Sequence, residues 1–206
     1  MKHYILILAL LFSGYSLKAQ SETADNLKKK YTIKKGFETM VNIRIDVPGL
    51  TIPPKDISVF YENGKKPIIK GKGILLLPKN GFLNQISDLL NVSAHWIEIE
   101  NKGDLIRYKL VSLDPKSDWV TADIKILKAN LQIDEINLTT KETGVYLIKH
   151  SYGNGVFPIA TEISFLTNKF NVPLKFIGKS SIKEVKDKDG KVKGKIFLKF
   201  TNFKIL

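Results

Sequence analysis

The sequence predicts a mainly β protein, a strongly curved antiparallel sheet of about ten to eleven strands with short helices as a lid. Three observations lead there. Short runs rich in Val, Ile, Phe and Tyr recur along the chain, separated by turn-forming residues. Strand and helix patterns do not alternate, which disfavours a parallel sheet. Several runs carry bulky apolar residues on both faces, such as Val59 and Tyr61 against Phe60, or Ile196, Leu198 and Phe200 against Phe197 and Phe203. A sheet that is apolar on both sides must be covered on both sides, by helices and by its own curvature.

The elements follow in chain order. Residues 1–20, "MKHYILILALLFSGYSLKAQ", have a basic start at Lys2, an apolar run from Tyr4 to Phe12, and small or polar residues to Ala19 and Gln20. This is the layout of a secretory signal peptide cleaved near Ala19 or Gln20. An uncleaved interfacial anchor is the alternative. The apolar run is shorter than the roughly 20 residues a spanning helix needs. Residues 21–206 then form a single domain, because no repeat, low-complexity tract or linker divides them.

Residues 21–32 suit a short helix. "FETMVNIRIDV" (37–47) alternates, with Phe37, Val41, Ile43, Ile45 and Val47 on one side and Glu38, Asn42, Arg44 and Asp46 on the other. "KDISVFYE" (55–62) ends at the hairpin signal Asn63-Gly64. "KPIIKGK" leads into "KGKGILLLPKNG" (70–81), whose apolar run Ile74 to Leu77 does not alternate. Gly71 and Gly73 permit a bend there, and the Pro78–Gly81 turn folds back a helix over 81–92 with Phe82, Ile86, Leu89 and Leu90 at helical spacing. Ile74 to Leu77 are thus expected between the sheet interior and that helix.

The remaining strands are expected at 95–100, 105–113, 118–130, 131–140, 144–152 and 157–166, with a final hairpin of 174–185 and 193–206 turning at Asp187–Gly190.

Composition bounds the chemistry. The chain has 206 residues, 43% hydrophobic and 26% charged, the profile of a folded globular protein. It has no cysteine, which excludes disulfides, thiolate metal sites, a cysteine nucleophile and a lipid-anchored lipoprotein. Lys plus Arg number 33 against 20 Asp plus Glu, a net +13; losing Lys2 and Lys18 with the leader leaves 31 against 20, or +11. Arg44 and Arg107 are the only arginines. With no recognition motif and no arginine cluster, nucleic acid is not the expected partner. An anionic membrane surface or an acidic acceptor protein fits an exported basic protein better; the alternative is a solvated Lys-rich surface.

No catalytic constellation stands out. His95 and His150 lie far apart without metal-ligand spacing and read as half-exposed strand residues. Asp46 with Asp56, or Asp187 with Asp189, are the acid pairs available, and the second belongs to a turn. There is no nucleophile elbow, phosphate loop or dinucleotide fingerprint. The protein is expected not to be an enzyme and to use no metal and no cofactor.

An incompletely filled concave face would be an apolar cavity suited to apolar ligands; the alternative is that side chains fill it. The residues expected there or on the lid are Ile43, Ile45, Val59, Tyr61, Ile74, Leu76, Phe82, Ile86, Leu89, Trp96 and Trp119. The two tryptophans read either as ligand-stacking or as packing residues.

Two segments carry a family resemblance. "VNIRIDVPGLTIPPKDISVFYENGKKPIIKGKGILLLPKNG" (41–81) resembles the early strands of the LolA-like periplasmic carriers, which escort lipoproteins to the outer membrane. "GVYLIKHSYGNGVFPIATEISF" (144–165) resembles that family's late hairpin, in which a proline starts the second strand. The chain departs from the family in its lysine excess and in having Asn63-Gly64 where an Asp-Gly is expected. The resemblance implies a half-open barrel whose apolar interior holds acyl chains of lipoproteins or other lipids, a periplasmic location, and handover to an acceptor. It also implies an arginine that latches the lid, for which Arg44 is the early-strand candidate, although its alternation sets it opposite Ile43 and Ile45. An exported structural or protein-interaction domain with a packed interior is the second reading.

Overall fold

The first and last strands of the chain lie side by side in the middle of one sheet. The computed structural model describes residues 22–32, 36–62, 65, 68–71, 85–167 and 186–206. In chain order these hold helix α1 (22–31), β1 (Gly36–Asp46), β2 (Lys55–Glu62), β3 (Ile68–Lys70), α2 (Gln85–Asn91), β4 (Ala94–Lys102), β5 (Leu105–Ser112), β6 (Trp119–Leu127), β7 (Gln132–Thr140), β8 (Val145–Tyr152), β9 (Pro158–Thr167) and β10 (Val192–Ile205). The ten strands form one sheet in the order β3-β2-β1-β10-β9-β8-β7-β6-β5-β4. Every pairing is antiparallel. The sheet is curved and not closed, and the two short helices cover its concave face, as the sequence predicts.

Strand alternation builds that face. In β1 the odd-numbered residues are buried from Phe37 to Ile45. Register carries the pattern across the sheet. Tyr108, Ile124, Ile136, Ile148, Ile163, Ile196 and Ile45 lie opposite one another on seven consecutive strands. All are buried. β-Branched side chains at cross-strand positions pack closely on a pleated surface, which favours this row.

Two expectations are corrected. Among the described residues no second layer packs on the opposite face. Phe197 is half-buried beneath the Arg44 guanidinium, 4.2 Å from its ring centroid, and Val145 is exposed. Long charged side chains shield apolar ones here. Ion pairs run across this face: Lys195–Glu162 at 2.7 Å, Lys149–Glu135 at 3.6 Å, Lys109–Asp123 at 3.1 Å and Arg107–Glu100 at 3.6 Å. At such exposure each contributes at most about 1 kcal/mol, so the pairs set surface character more than stability.

The second correction concerns Phe203. Plain alternation puts it with Phe197. Asn202 has φ 55°, and the β1–β10 register shifts between Glu38 and Met40. This bulge returns Phe203 to the concave side, where it stacks on Phe37 at 5.3 Å.

The expected strand at 174–185 lies outside the described residues. Over Lys195–Lys199 both edges of β10 are taken, by β1 and β9. The leader, the apolar run Ile74 to Leu77 and Phe82 also lie outside the described residues.

Candidate functional site: the covered concave face

Both helices meet the sheet through one apolar stripe. On α1, Ala24, Leu27 and Tyr31 are buried; on α2, Ile86, Leu89 and Leu90 are. These spacings put the side chains on one face of each helix.

A ring of hydrogen bonds fixes the C-terminal end of α1. The Ile133 N–H donates to Tyr31 Oη at 3.1 Å, and Tyr152 Oη donates to the Ile133 carbonyl at 2.9 Å. The two phenol oxygens are 3.1 Å apart. Tyr152 directs its single O–H at the carbonyl, so Tyr31 donates in that contact. Lys30 Nζ adds bonds to the carbonyls of Asn130 and Leu131 in the β6–β7 turn. Burial raises the pKa of both phenols above the usual tyrosine value, so both stay neutral.

His150 lies on the same face, opposite Thr161, with Nδ1 3.0 Å from the Thr161 hydroxyl. Burial lowers its pKa from 6.5 to about 4, against the opposing pull of Asp134. Its Nε2 and the Trp119 Nε1 are buried without a hydrogen-bond partner among the described residues.

The concave face is not equally covered along its length. Beside the isoleucine row, toward the β5–β6 and β7–β8 turns, runs a second row of Trp96, Leu110, Ala122, Leu138, Tyr146 and Phe165 in register. Trp96, Leu138 and Tyr146 are only half-buried. Ala122 is the smallest side chain in this row.

The residues expected from sequence fall as follows. Ile43, Ile45 and Val59 are buried on β1 and β2, Ile86 and Leu89 on α2, and Trp119 on β6. All six belong to one apolar cluster, with Tyr61 and Trp96 packed against it. Trp96 meets Tyr108 edge-on at 5.6 Å. Ile74, Leu76 and Phe82 lie outside the described residues. Arg44 is exposed on the opposite face, engaged with Phe197, and the contacts that hold α1 come from Tyr31, Tyr152 and Lys30 instead. Sequence reading missed those three, along with Leu138, Tyr146 and His150. Leu138 and Tyr146 carry a usable signal, since each sits in an alternating strand in phase with a buried isoleucine.

The groups considered for catalysis are engaged structurally or stand apart. Asp187 Oδ1 accepts the N–H groups of Asp189 and Lys191 in the turn before β10, at 3.0 and 2.8 Å. Asp56 accepts from Asn42 at 2.8 Å. His95 is exposed on β4, four strands from His150. Among the described residues no group of three or more His, Asp or Glu is placed to hold a metal ion.

No family model matches the sequence, and no curated protein is significantly similar to it. Solved structures do match. A LolA superfamily protein from Nitrosomonas europaea has a TM-score of 0.57 at 9% identity, over 91% of this chain and 93% of that one. An outer-membrane lipoprotein-sorting protein domain from Vibrio parahaemolyticus has a TM-score of 0.53 at 6% identity, over 91% and 92%. A DUF1329 family protein from Desulfovibrio piger has a TM-score of 0.51 at 7% identity, again over 91% and 92%. Together with the open curved sheet and its helical cover, these matches show that the chain has a LolA-like fold.

Proposed function

We propose that this is an exported, non-catalytic carrier that holds acyl chains of lipoproteins or other lipids against its concave face and hands them on at the outer membrane. The observation that carries the reading is the half-buried row of Trp96, Leu138 and Tyr146 beside the fully buried isoleucine row of the concave face. Apolar surface left partly open beneath a helical cover suits a hydrocarbon tail. The driving force is burial, about 0.8 kcal/mol per methylene, so no cofactor enters. The signal-peptide layout of residues 1–20 and the likeness of the fold to lipoprotein-sorting proteins support a periplasmic location. Ile43, Ile45, Val59, Tyr61 and Trp119, with Ile86 and Leu89 of α2, complete the proposed lining, together with Ile74, Leu76 and Phe82, which lie outside the described residues.

A second reading has its own support. Leu110, Ile124 and Ile163 are fully buried, as in a packed interior. An exported interaction domain would look like this. Native mass spectrometry of the purified chain, followed by titration with a fluorescent fatty acid, decides between them. The carrier reading expects a co-purified lipid or saturable uptake. An apo mass with no uptake overturns it in favour of the interaction domain.

A further inference from the structure

One end of the sheet, where the β6–β7 and β8–β9 turns lie, differs from the rest of the surface. Five aromatic rings run along it. Tyr61 meets Phe37 at 5.4 Å, Phe37 meets Phe203 at 5.3 Å, Phe203 meets Phe157 at 5.0 Å, and Phe157 meets Tyr31 at 6.4 Å. Around this row large apolar side chains face solvent: Ile205 is 62% exposed, Ile159 51%, Val156 41% and Phe203 38%. Phe203 belongs to the row itself, Ile205 lies opposite Phe37 in register, and Val156 and Ile159 flank Phe157 along the chain, so the four gather at one end of the sheet rather than scatter singly. The backbone explains the exposure. The Asn202 bulge re-aims Phe203. Ile159 sits where the β8–β9 register breaks, between Pro158 and Ala160, and has no strand partner opposite it.

The charge around this group is positive. Lys28, Lys29 and Lys30 end α1, and the bonds from Lys30 to the β6–β7 turn place that end beside the aromatic row. Lys128 lies in the same turn. Lys204 lies opposite Glu38 in register, so the α1 lysines supply the excess.

We propose that this end rests on an anionic bilayer, with Ile205, Ile159 and Phe203 entering the boundary between headgroups and acyl chains and the lysines meeting lipid phosphates. Charge complementarity favours an anionic bilayer: the Lys28 and Lys29 side chains stand at the end of α1 beside apolar side chains that face solvent, the pairing an interfacial surface uses. The proposal needs no acyl-chain site and stands apart from the carrier reading.

Flotation of the purified chain with vesicles of phosphatidylglycerol and phosphatidylethanolamine tests it, against vesicles of phosphatidylcholine alone. Partition should be at least about tenfold stronger to the anionic vesicles and should weaken as salt is raised, since each lysine near an anionic surface is worth about fivefold. Ile205→Asp combined with Ile159→Asp should lower partition by about tenfold or more. Both side chains are exposed, so the fold should survive, and circular dichroism checks this. Ile97→Asp, on the exposed edge strand β4, is the control and should float like the parent. Failure of the parent to float with anionic vesicles, or equal loss in the control, overturns the proposal. So does binding that needs membrane protein in the vesicles, which would assign the surface to a protein partner. Fatty-acid uptake measured in parallel keeps this outcome separate from that of the carrier reading.

Discussion

The phenol oxygens of Tyr31 and Tyr152 lie 3.1 Å apart and close a hydrogen-bond ring through both backbone groups of Ile133. This ring ties α1 to the sheet across a separation of 121 residues. Each member is both satisfied and needed, so removing one leaves a buried polar group exposed to its full desolvation cost.

Tyr31→Phe should therefore destabilise the protein by about 1–3 kcal/mol, because the buried Ile133 N–H loses its acceptor. Tyr152→Phe should act through the same ring, and the double variant should lose less than the sum of the singles. Urea denaturation measures the loss. Hydrogen exchange should show residues 22–31 opening first. A neutral Tyr31→Phe would mean that α1 is held by its apolar stripe alone.

His150 should make stability depend on pH. Its folded pKa is lowered from 6.5 to about 4 by burial, so between those values the unfolded chain binds the extra proton. Stability is then fully present above about pH 6.5 and falls as pH drops toward 4, by up to about 3 kcal/mol in total. His150→Gln should flatten this part of the stability curve. Denaturation midpoints for both chains at several pH values give the comparison; parallel curves would exclude His150 as the source.

Gly194 has no room for a side chain. A Cβ there would sit 2.6 Å from Val47 Cγ2, 2.8 Å from the Asp46 carbonyl oxygen and 2.8 Å from Phe165 Cζ. One of these atoms is backbone, so the strain cannot be relieved by a rotamer change alone. Gly194→Ala should cost about 1–3 kcal/mol in thermal or urea unfolding. An unchanged midpoint would contradict the close approach of β10 to Val47.

The bulge at Asn202 should tolerate glycine and reject a β-branched residue. Asn202→Gly is expected to change stability by only a few tenths of a kcal/mol, whereas Asn202→Val should cost about 1–2 kcal/mol in the left-handed conformation. Equal effects from both would show that the left-handed backbone does not matter there.

Bound acyl chains should report through tryptophan. Trp96 is half-buried in the second concave row and Trp119 is buried. A brominated fatty acid should quench the emission of the Trp119→Phe chain, which retains Trp96, more than that of the Trp96→Phe chain. Quenching confined to Trp119 would move the ligand away from that row.

Much of the sheet was legible because strand alternation is a local property. The period in 37–47 identified the buried side of β1 from Phe37 to Val47, and it did so before any partner strand was known. The helical spacing of Ile86, Leu89 and Leu90 was local in the same way. What escaped was non-local or a matter of one residue. Nothing in the sequence of β10 says that it joins β1 to β9, since pairing between chain ends leaves no compositional trace. A bulge adds a single residue, and Asn202 looks like any strand asparagine. The bonding of Tyr31 to Tyr152 depends on that assembled sheet. Arg44, a latch candidate only through the family resemblance, lies where its alternation sets it, opposite Ile43 and Ile45 and over Phe197. Among the described residues the second face has no cover, and charged side chains from neighbouring strands shield its half-buried apolar residues, as Arg44 does Phe197.

β3 and β4 stand at the two ends of the strand order, and among the described residues no ladder joins them. A closed barrel has a bore set by its strand number and stagger. In an open sheet the distance between the end strands is not fixed in that way. For the carrier proposed above, a change of twist would let the sheet open around cargo of different girth with its interstrand bonds kept.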